Sequence, residues 1–290
     1  MPLDRRTFVF TLGAAALAAR RGMAGSIAPL GVQLYTVRTE LEKDFDGTIE
    51  KVAAIGFTEV EFAGYFNHTP QQVRAALESH HLTSPSAHID YPSLTGDKWT
   101  QAIEAAHVIG HTYLVNAWVD EAIRNQPDAW PRIADTFNRA GEVSKRAGIQ
   151  FAYHNHNFEF APLKDSGKLP YDLLLESCDP AVVKMEMDLC WIAAAGKDPL
   201  EYFRRYPGRF PLVHVKGLRK IPPVTGEAVP IDRVLPDLTD VGHDDVIDWK
   251  RIFAQAGTAG IQHYFIEHDV PKAPFESLKA SYDYVSRLTV

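Results

Sequence analysis

Only two cysteines occur in the 290 residues, Cys178 and Cys190. Their spacing is not that of a thiolate metal site, and it says little about redox compartment. An excess of basic residues is also missing. The formal net charge is −7, which disfavours nucleic acid as a partner, since that wants a basic face. No Gly-rich phosphate turn follows an apolar run, which argues against a doubly wound nucleotide fold. The apolar stretch from Val9 to Ala19 is too short for a bilayer-spanning helix, which needs about 20 residues. What remains is 46% apolar and 23% charged residues, the composition of a globular chain with a large core. The length suits two small domains or one α/β barrel of roughly 250 residues.

The first residues have their own pattern. Asp4-Arg5-Arg6-Thr7-Phe8-Val9 resembles a twin-arginine export signal, followed by the short apolar run and then by Gly22-Met23-Ala24, a small-x-small ending. This predicts a signal over 1–24, a mature chain over 25–290, a periplasmic location and no stable membrane anchor. The alternative is a basic, Ala-rich N-terminal helix.

Beyond it, β-rich runs alternate with stretches of helical spacing, in eight pairs. The predicted strands are Leu30–Thr36, Thr58–Ala63, Thr83–Ile89, Thr112–Ala117, Ile149–His154, Val182–Asp188, Phe210–Lys216 and Ile261–Glu267. Helices between them stop at Gly56, Gly110, Gly148 and Gly257, with Asp46 and Asp97 as N-caps and Pro70, Pro127 and Pro199 in first turns. Eight such units without a linker predict a single (β/α)8 barrel. The long irregular segment from Gly217 to Asp248 is expected to border the mouth.

The strand ends carry the chemistry. Gln150–Glu159 is an aromatic run that opens into His154, Asn155, His156, Asn157 and Glu159. The other ends supply Gln33 and Tyr35, Glu61, His88, Asn116, Glu186 and Asp188, His214 and Lys216, and Glu267 with His268. A barrel brings all of these to one opening. So many carboxylates at low dielectric repel one another, and one divalent cation held by oxygen and imidazole donors is the simplest remedy. Mn2+ leads, with Mg2+, Co2+ and Zn2+ compatible. Elsewhere, His80, His81, His107 and His111 fall in helices or at their ends and are expected to be solvated, while Trp191 is expected to be core.

Gly31-Val-Gln-Leu-Tyr-Thr-Val-Arg38, Tyr153-His-Asn-His156, Glu186-Met-Asp188, His214-Val-Lys216 and Phe265-Ile-Glu-His-Asp269 together resemble the xylose isomerase-like barrels known as sugar phosphate isomerases/epimerases, which include keto-sugar epimerases and inosose dehydratases. The resemblance implies one metal held by a strand-five carboxylate and by Asp188, His214 and Glu267. Six residues after Gly148, where many of these epimerases have Glu, this chain has His154. Either His154 takes that place or Glu159 enters from the loop, and Glu159 is the expected fourth ligand.

The implied reaction is proton abstraction beside the carbonyl of a keto-sugar, inosose or oxidised glycoside, giving isomerisation, epimerisation or elimination. His154, His156, Lys216 and Glu61 are the expected acids and bases, and Gln33, Tyr35, His88 and Glu186 the expected substrate contacts. The partner is then a small sugar or glycoside, and a homo-oligomer is compatible. Rival readings are a metal-dependent barrel endonuclease or hydrolase and a non-catalytic sugar-binding protein.

Overall fold

A computed structural model describes residues 27–290, so the expected signal lies outside the described residues. Among the described residues are ten strands: β1 (Leu30–Gln33), β2 (Glu59–Phe62), β3 (Thr83–His88), β4 (Tyr113–Asn116), β5 (Gln150–His154), β6 (Val183–Asp188), β7 (Leu212–Val215), β8 (Gly217–Leu218), β9 (Leu238–Thr239) and β10 (His263–Ile266). Eight of them close into a parallel barrel in the order β1-β10-β7-β6-β5-β4-β3-β2, while β8 and β9 form a small antiparallel pair. The chain is a (β/α)8 barrel, as the alternation predicts. The small pair lies in the segment 217–248, pinned where Asn157 Nδ2 donates to Val229 O at 2.7 Å. No helix among the described residues is long and apolar enough to cross a membrane.

Each barrel strand is four to six residues long, shorter than its apolar run. The run beginning Leu30 turns into a 3-10 helix at Leu34, because Gln33 Oε1 accepts from Tyr35 N at 3.0 Å and breaks the extended path. Gly56, Gly110 and Gly148 have positive φ at helix ends. Gly257 instead lies inside a short helix, Ala256–Ala259, and Gly260 ends it at φ 83°. Asp44 rather than Asp46 caps the helix Phe45–Ile55, through Gly47 N. Pro127 precedes the helix Ala129–Arg146 rather than opening it, and the helix containing Asp97 starts one residue earlier, at Gly96.

Alternation along the strands divides the barrel interior into two levels. Val115, Ala152, Leu212 and Phe265 form a buried apolar cluster there, with Tyr113 against it. Gly31 is required at that level, because a Cβ would stand 2.6 Å from Phe265 Cδ1. Two residues further along the same strands, Ala152 gives way to His154, Leu212 to His214 and Phe265 to Glu267. The apolar plug thus becomes the floor of a polar mouth.

Candidate active site

Two imidazoles organise the mouth, each facing carboxylates through both ring nitrogens. His214 Nδ1 lies 2.8 Å from Glu267 Oε2 and 3.8 Å from Asp188 Oδ2. Its Nε2 lies 2.7 Å from Glu61 Oε2 and 3.4 Å from Glu186 Oε2. For His154, Nε2 is 4.0 Å from Asp188 Oδ2 and Nδ1 is 3.5 Å from Glu186 Oε2. All six of these side chains are buried. Beside them, part-exposed His88 contacts Glu186 Oε2 through Nε2 at 2.9 Å and Glu61 Oε2 at 3.1 Å. Gln33 Nε2 donates to Glu61 Oε2 at 2.7 Å, and Ser86 Oγ donates to Glu61 Oε1. Ser86 has no separate signal in the sequence: it is one short hydroxyl on a strand of small residues.

Lys216 supplies the ammonium. Its Nζ stands 3.1 Å from Asp188 Oδ2, 2.9 Å from Glu267 Oε2 and 2.8 Å from Asp269 Oδ2, and the side chain is buried. Neither Asp188 Oδ2 nor Asp269 Oδ2 receives a directed hydrogen bond despite that proximity. Asp188 Oδ1, by contrast, accepts from Cys190 N at 2.8 Å and Trp191 N at 2.7 Å, which caps the helix Leu189–Ala194 and fixes the carboxylate.

Burial and mutual charge set the protonation states. Burial works against the charge on His88, but Glu61 and Glu186 outweigh it and push His88 up to about 9. Burial likewise opposes the charge on His214, which Glu186 and Glu267 hold well above the usual imidazole range. His154 is driven well below that range by burial and by His214, and His156 is lowered to about 3 by burial and by Lys216. Glu186 is pushed up to about 7 by burial and by Glu61. In Glu61, burial is outweighed by His88 and His214, which hold its carboxyl low.

Among the described residues, two overlapping groups of donor atoms have the compactness a metal needs: His88, His154, Glu186 and His214, and Asp188, His214 and Glu267. His214 belongs to both, through opposite ring nitrogens.

A model of the xylose isomerase-like TIM barrel family matches residues 49–286. The chain belongs to this family. It is 25% identical over 284 residues to an inosose dehydratase of Lacticaseibacillus casei, covering 88% of this chain and 93% of that one. A crystal structure of a sugar phosphate isomerase/epimerase from Parabacteroides distasonis ATCC 8503 superposes with a TM-score of 0.73 at 25% identity, covering 89% of this chain and 98% of the other. The IOLI protein, whose crystal structure binds a zinc atom, shares the fold at a TM-score of 0.66 and 13% identity, over 90% and 99% of the two chains.

Within this family member, Glu159 is not among the converging donors. Its Oε1 accepts from Tyr153 Oη at 2.5 Å and its Oε2 from His156 N at 2.9 Å, and it is fully buried. The reason is strand alternation. His154 points into the barrel, so Tyr153 points out, its ring 5.0 Å from that of Phe137 on the surrounding helix layer. Glu159 follows Tyr153 and braces the turn from outside. Glu159 was expected to join Asp188, His214 and Glu267 and lies outside that donor group, while His154 Nε2 stands 4.0 Å from Asp188 Oδ2.

The remaining expected residues divide by depth. Glu61, Gln33 and Glu186 are fully buried beside the two imidazoles, His88 is part-exposed, and Tyr35 is at the rim, 41% exposed. His156 is half-buried in a run of rings: 5.1 Å from His154, 5.6 Å from Trp191 and 5.1 Å from Trp118 by centroids. Trp191 is buried as expected, yet Lys216 Nζ lies 5.0 Å over its ring, so it also walls the site. No expectation was attached to Asp269, which meets Lys216, or to Trp118, which borders His156. Asp269 lies two residues past Glu267, in the same motif, while Trp118 follows β4 in a segment with no other site signal. His111, expected to be solvated, is buried, with Nδ1 2.8 Å from Ser84 O and Nε2 3.1 Å from Tyr65 Oη.

Proposed function

We propose that this chain is a metal-dependent enzyme acting on a carbohydrate, removing a proton beside the carbonyl of an unphosphorylated keto-sugar, inosose or oxidised glycoside. The products would arise by isomerisation, epimerisation or loss of a β-hydroxyl. The observation that carries this reading is the shared geometry of His154 and His214. Each turns one nitrogen toward the opening, where Asp188 Oδ2 has no hydrogen-bonding partner, and the other toward Glu61 or Glu186. Carboxylates behind ligating imidazoles fix their orientation and raise their basicity.

His154 Nε2, Asp188 Oδ2, His214 Nδ1 and Glu267 Oε2 would hold a divalent ion. An all-oxygen-and-nitrogen set suits Mn2+, the ion favoured here, and also Mg2+, Co2+ or Zn2+. When bound, the ion supplies Lewis-acid polarisation of the substrate carbonyl. His156 Nδ1 has no hydrogen-bonding partner and would accept the α-proton. Lys216 would orient a substrate hydroxyl, and the proton held on His156 would return to the neighbouring carbon in the isomerisation. His88, charged between Glu61 and Glu186, is placed to protonate a departing hydroxyl in the elimination. The inosose dehydratase and isomerase/epimerase relatives support both outcomes.

The test is solvent exchange. Metal-replete protein in D2O should label the α-position of an inosose or 3-keto-glucoside, and His156→Gln should abolish labelling while retaining metal. Absence of exchange with every substrate that binds would leave hydrolysis or simple binding as the better reading.

We propose also that the segment 1–24 directs export by the twin-arginine route. Changing Arg5 and Arg6 to Lys should leave folded precursor in the cytoplasm, and undiminished delivery to the periplasm would sink the idea.

A further inference from the structure

Trp118 is a part-exposed ring held from several sides. It is 39% exposed, yet its Nε1–H donates to Asp120 Oδ1 at 3.0 Å, and its carbonyl accepts from Asn116 Nδ2 at 3.3 Å. The Arg124 guanidinium lies 4.7 Å from the indole centroid and 3.8 Å from that of Phe158. Arg124 is itself buried and tied to Val119 O at 2.7 Å and Glu121 Oε1 at 2.9 Å. Phe158 and His156 stack on each other, and both stand nearly perpendicular to the indole, at 85° and 87°. Folding alone gives no reason to fix a large, part-exposed apolar ring at the rim so firmly. Pre-arranged aromatic surface beside a polar cleft is how a protein holds an amphipathic ring without losing side-chain freedom on binding.

The rings set a scale. Centroids step 5.1 Å from His154 to His156 and another 5.1 Å from His156 to Trp118. A ring engaged at His154 and His156 leaves Trp118, one step further out, for whatever is joined to it. Tyr35, the other exposed aromatic at the mouth, also has an arginine on its ring, Arg38 at 4.0 Å, but no such run of rings links it to the imidazoles. We propose that Trp118 is an outer subsite, which stacks the second ring of a glycoside whose first ring occupies the histidine-lined mouth. This rests on the carbohydrate reading above and narrows it from single-ring sugars to two-ring substrates. The second ring can be a sugar or an aryl group, since both offer a flat face to the indole.

Calorimetry on the metal-replete protein with the 3-keto derivatives of glucose, cellobiose and phenyl β-D-glucopyranoside, each named below by its parent, tests the proposal. Cellobiose or the phenyl glucoside should bind about tenfold tighter than glucose, and whichever gains more identifies the second ring as sugar or aryl. Trp118→Ala should erase that gain and leave glucose binding within about twofold, while Trp118→Phe retains most of it. Thermal melts of both variants should match the wild type. Equal affinity for all three probes, or a preference that survives in Trp118→Ala, overturns the outer subsite and leaves the carbohydrate site standing. No binding of any probe overturns the carbohydrate reading and the subsite together.

Discussion

The lower and upper levels of the barrel interior are built on the same strands and differ only in what those strands present. Below, Val115, Ala152, Leu212 and Phe265 fill the space with apolar atoms. Above, His154, His214, Glu267, Asp188 and Lys216 are as deeply buried but ionisable. The lower level gains stability from each contact, whereas the upper level carries charges whose desolvation is offset only by one another or by a bound cation. Stability and function are therefore separable along the strand axis, two residues apart.

Removing upper-level ligands should give the largest effect. Asp188→Ala and His214→Ala should each weaken divalent metal binding by more than about a hundredfold while the barrel stays folded. Elemental analysis and circular dichroism check both halves, and stoichiometric metal in Asp188→Ala would reassign the ligands to the group of His88, His154, Glu186 and His214. Phe265→Ala should do the reverse, costing about 3–5 kcal/mol in denaturant unfolding with metal stoichiometry unchanged. If it instead lost metal without losing stability, the two levels would not be separable.

Lys216 joins the levels' two logics, because its ammonium faces three carboxylates in a buried setting. Lys216→Met should destabilise metal-free protein by about 3 kcal/mol, and added Mn2+ should restore much of the loss by supplying the missing positive charge. Melting temperatures with and without metal measure this, and an equal loss in both states would mean that Lys216 contributes packing alone.

The smallest effect belongs to Glu159, outside both levels. Burial pushes its carboxyl up to about 7, against the two donors that bond it. Below its ordinary value of 4.5 both folded and unfolded chains hold the proton. Between there and about 7 the unfolded chain releases it first, so stability falls as pH rises through that window. Glu159→Gln should flatten that slope, cost about 1 kcal/mol because an amide cannot accept from both donors through its nitrogen end, and leave metal content unchanged. Loss of metal in this variant would return Glu159 to the ligand set.

The sequence by itself determined the barrel and the company of residues at its mouth. Eight apolar runs alternating with helical stretches admit few topologies, and parallel strands in a closed barrel put all their carboxyl ends at one opening, so Asp188, His214 and Glu267 could be gathered from spacing alone. Helix stops at Gly56, Gly110 and Gly148 were legible because the requirement for positive φ is local. Gly257 and Gly260, three residues apart, were not distinguishable, since either could end the helix until the neighbouring backbone was in place. Only the tertiary structure decided which nitrogen of each histidine faces which carboxylate, and that Glu159 serves Tyr153 outside the barrel while His154 serves the mouth. A loop of four residues after a strand end can turn either inward or outward. The choice is made by packing against Phe137 and the helix layer, which nothing in the local sequence encodes.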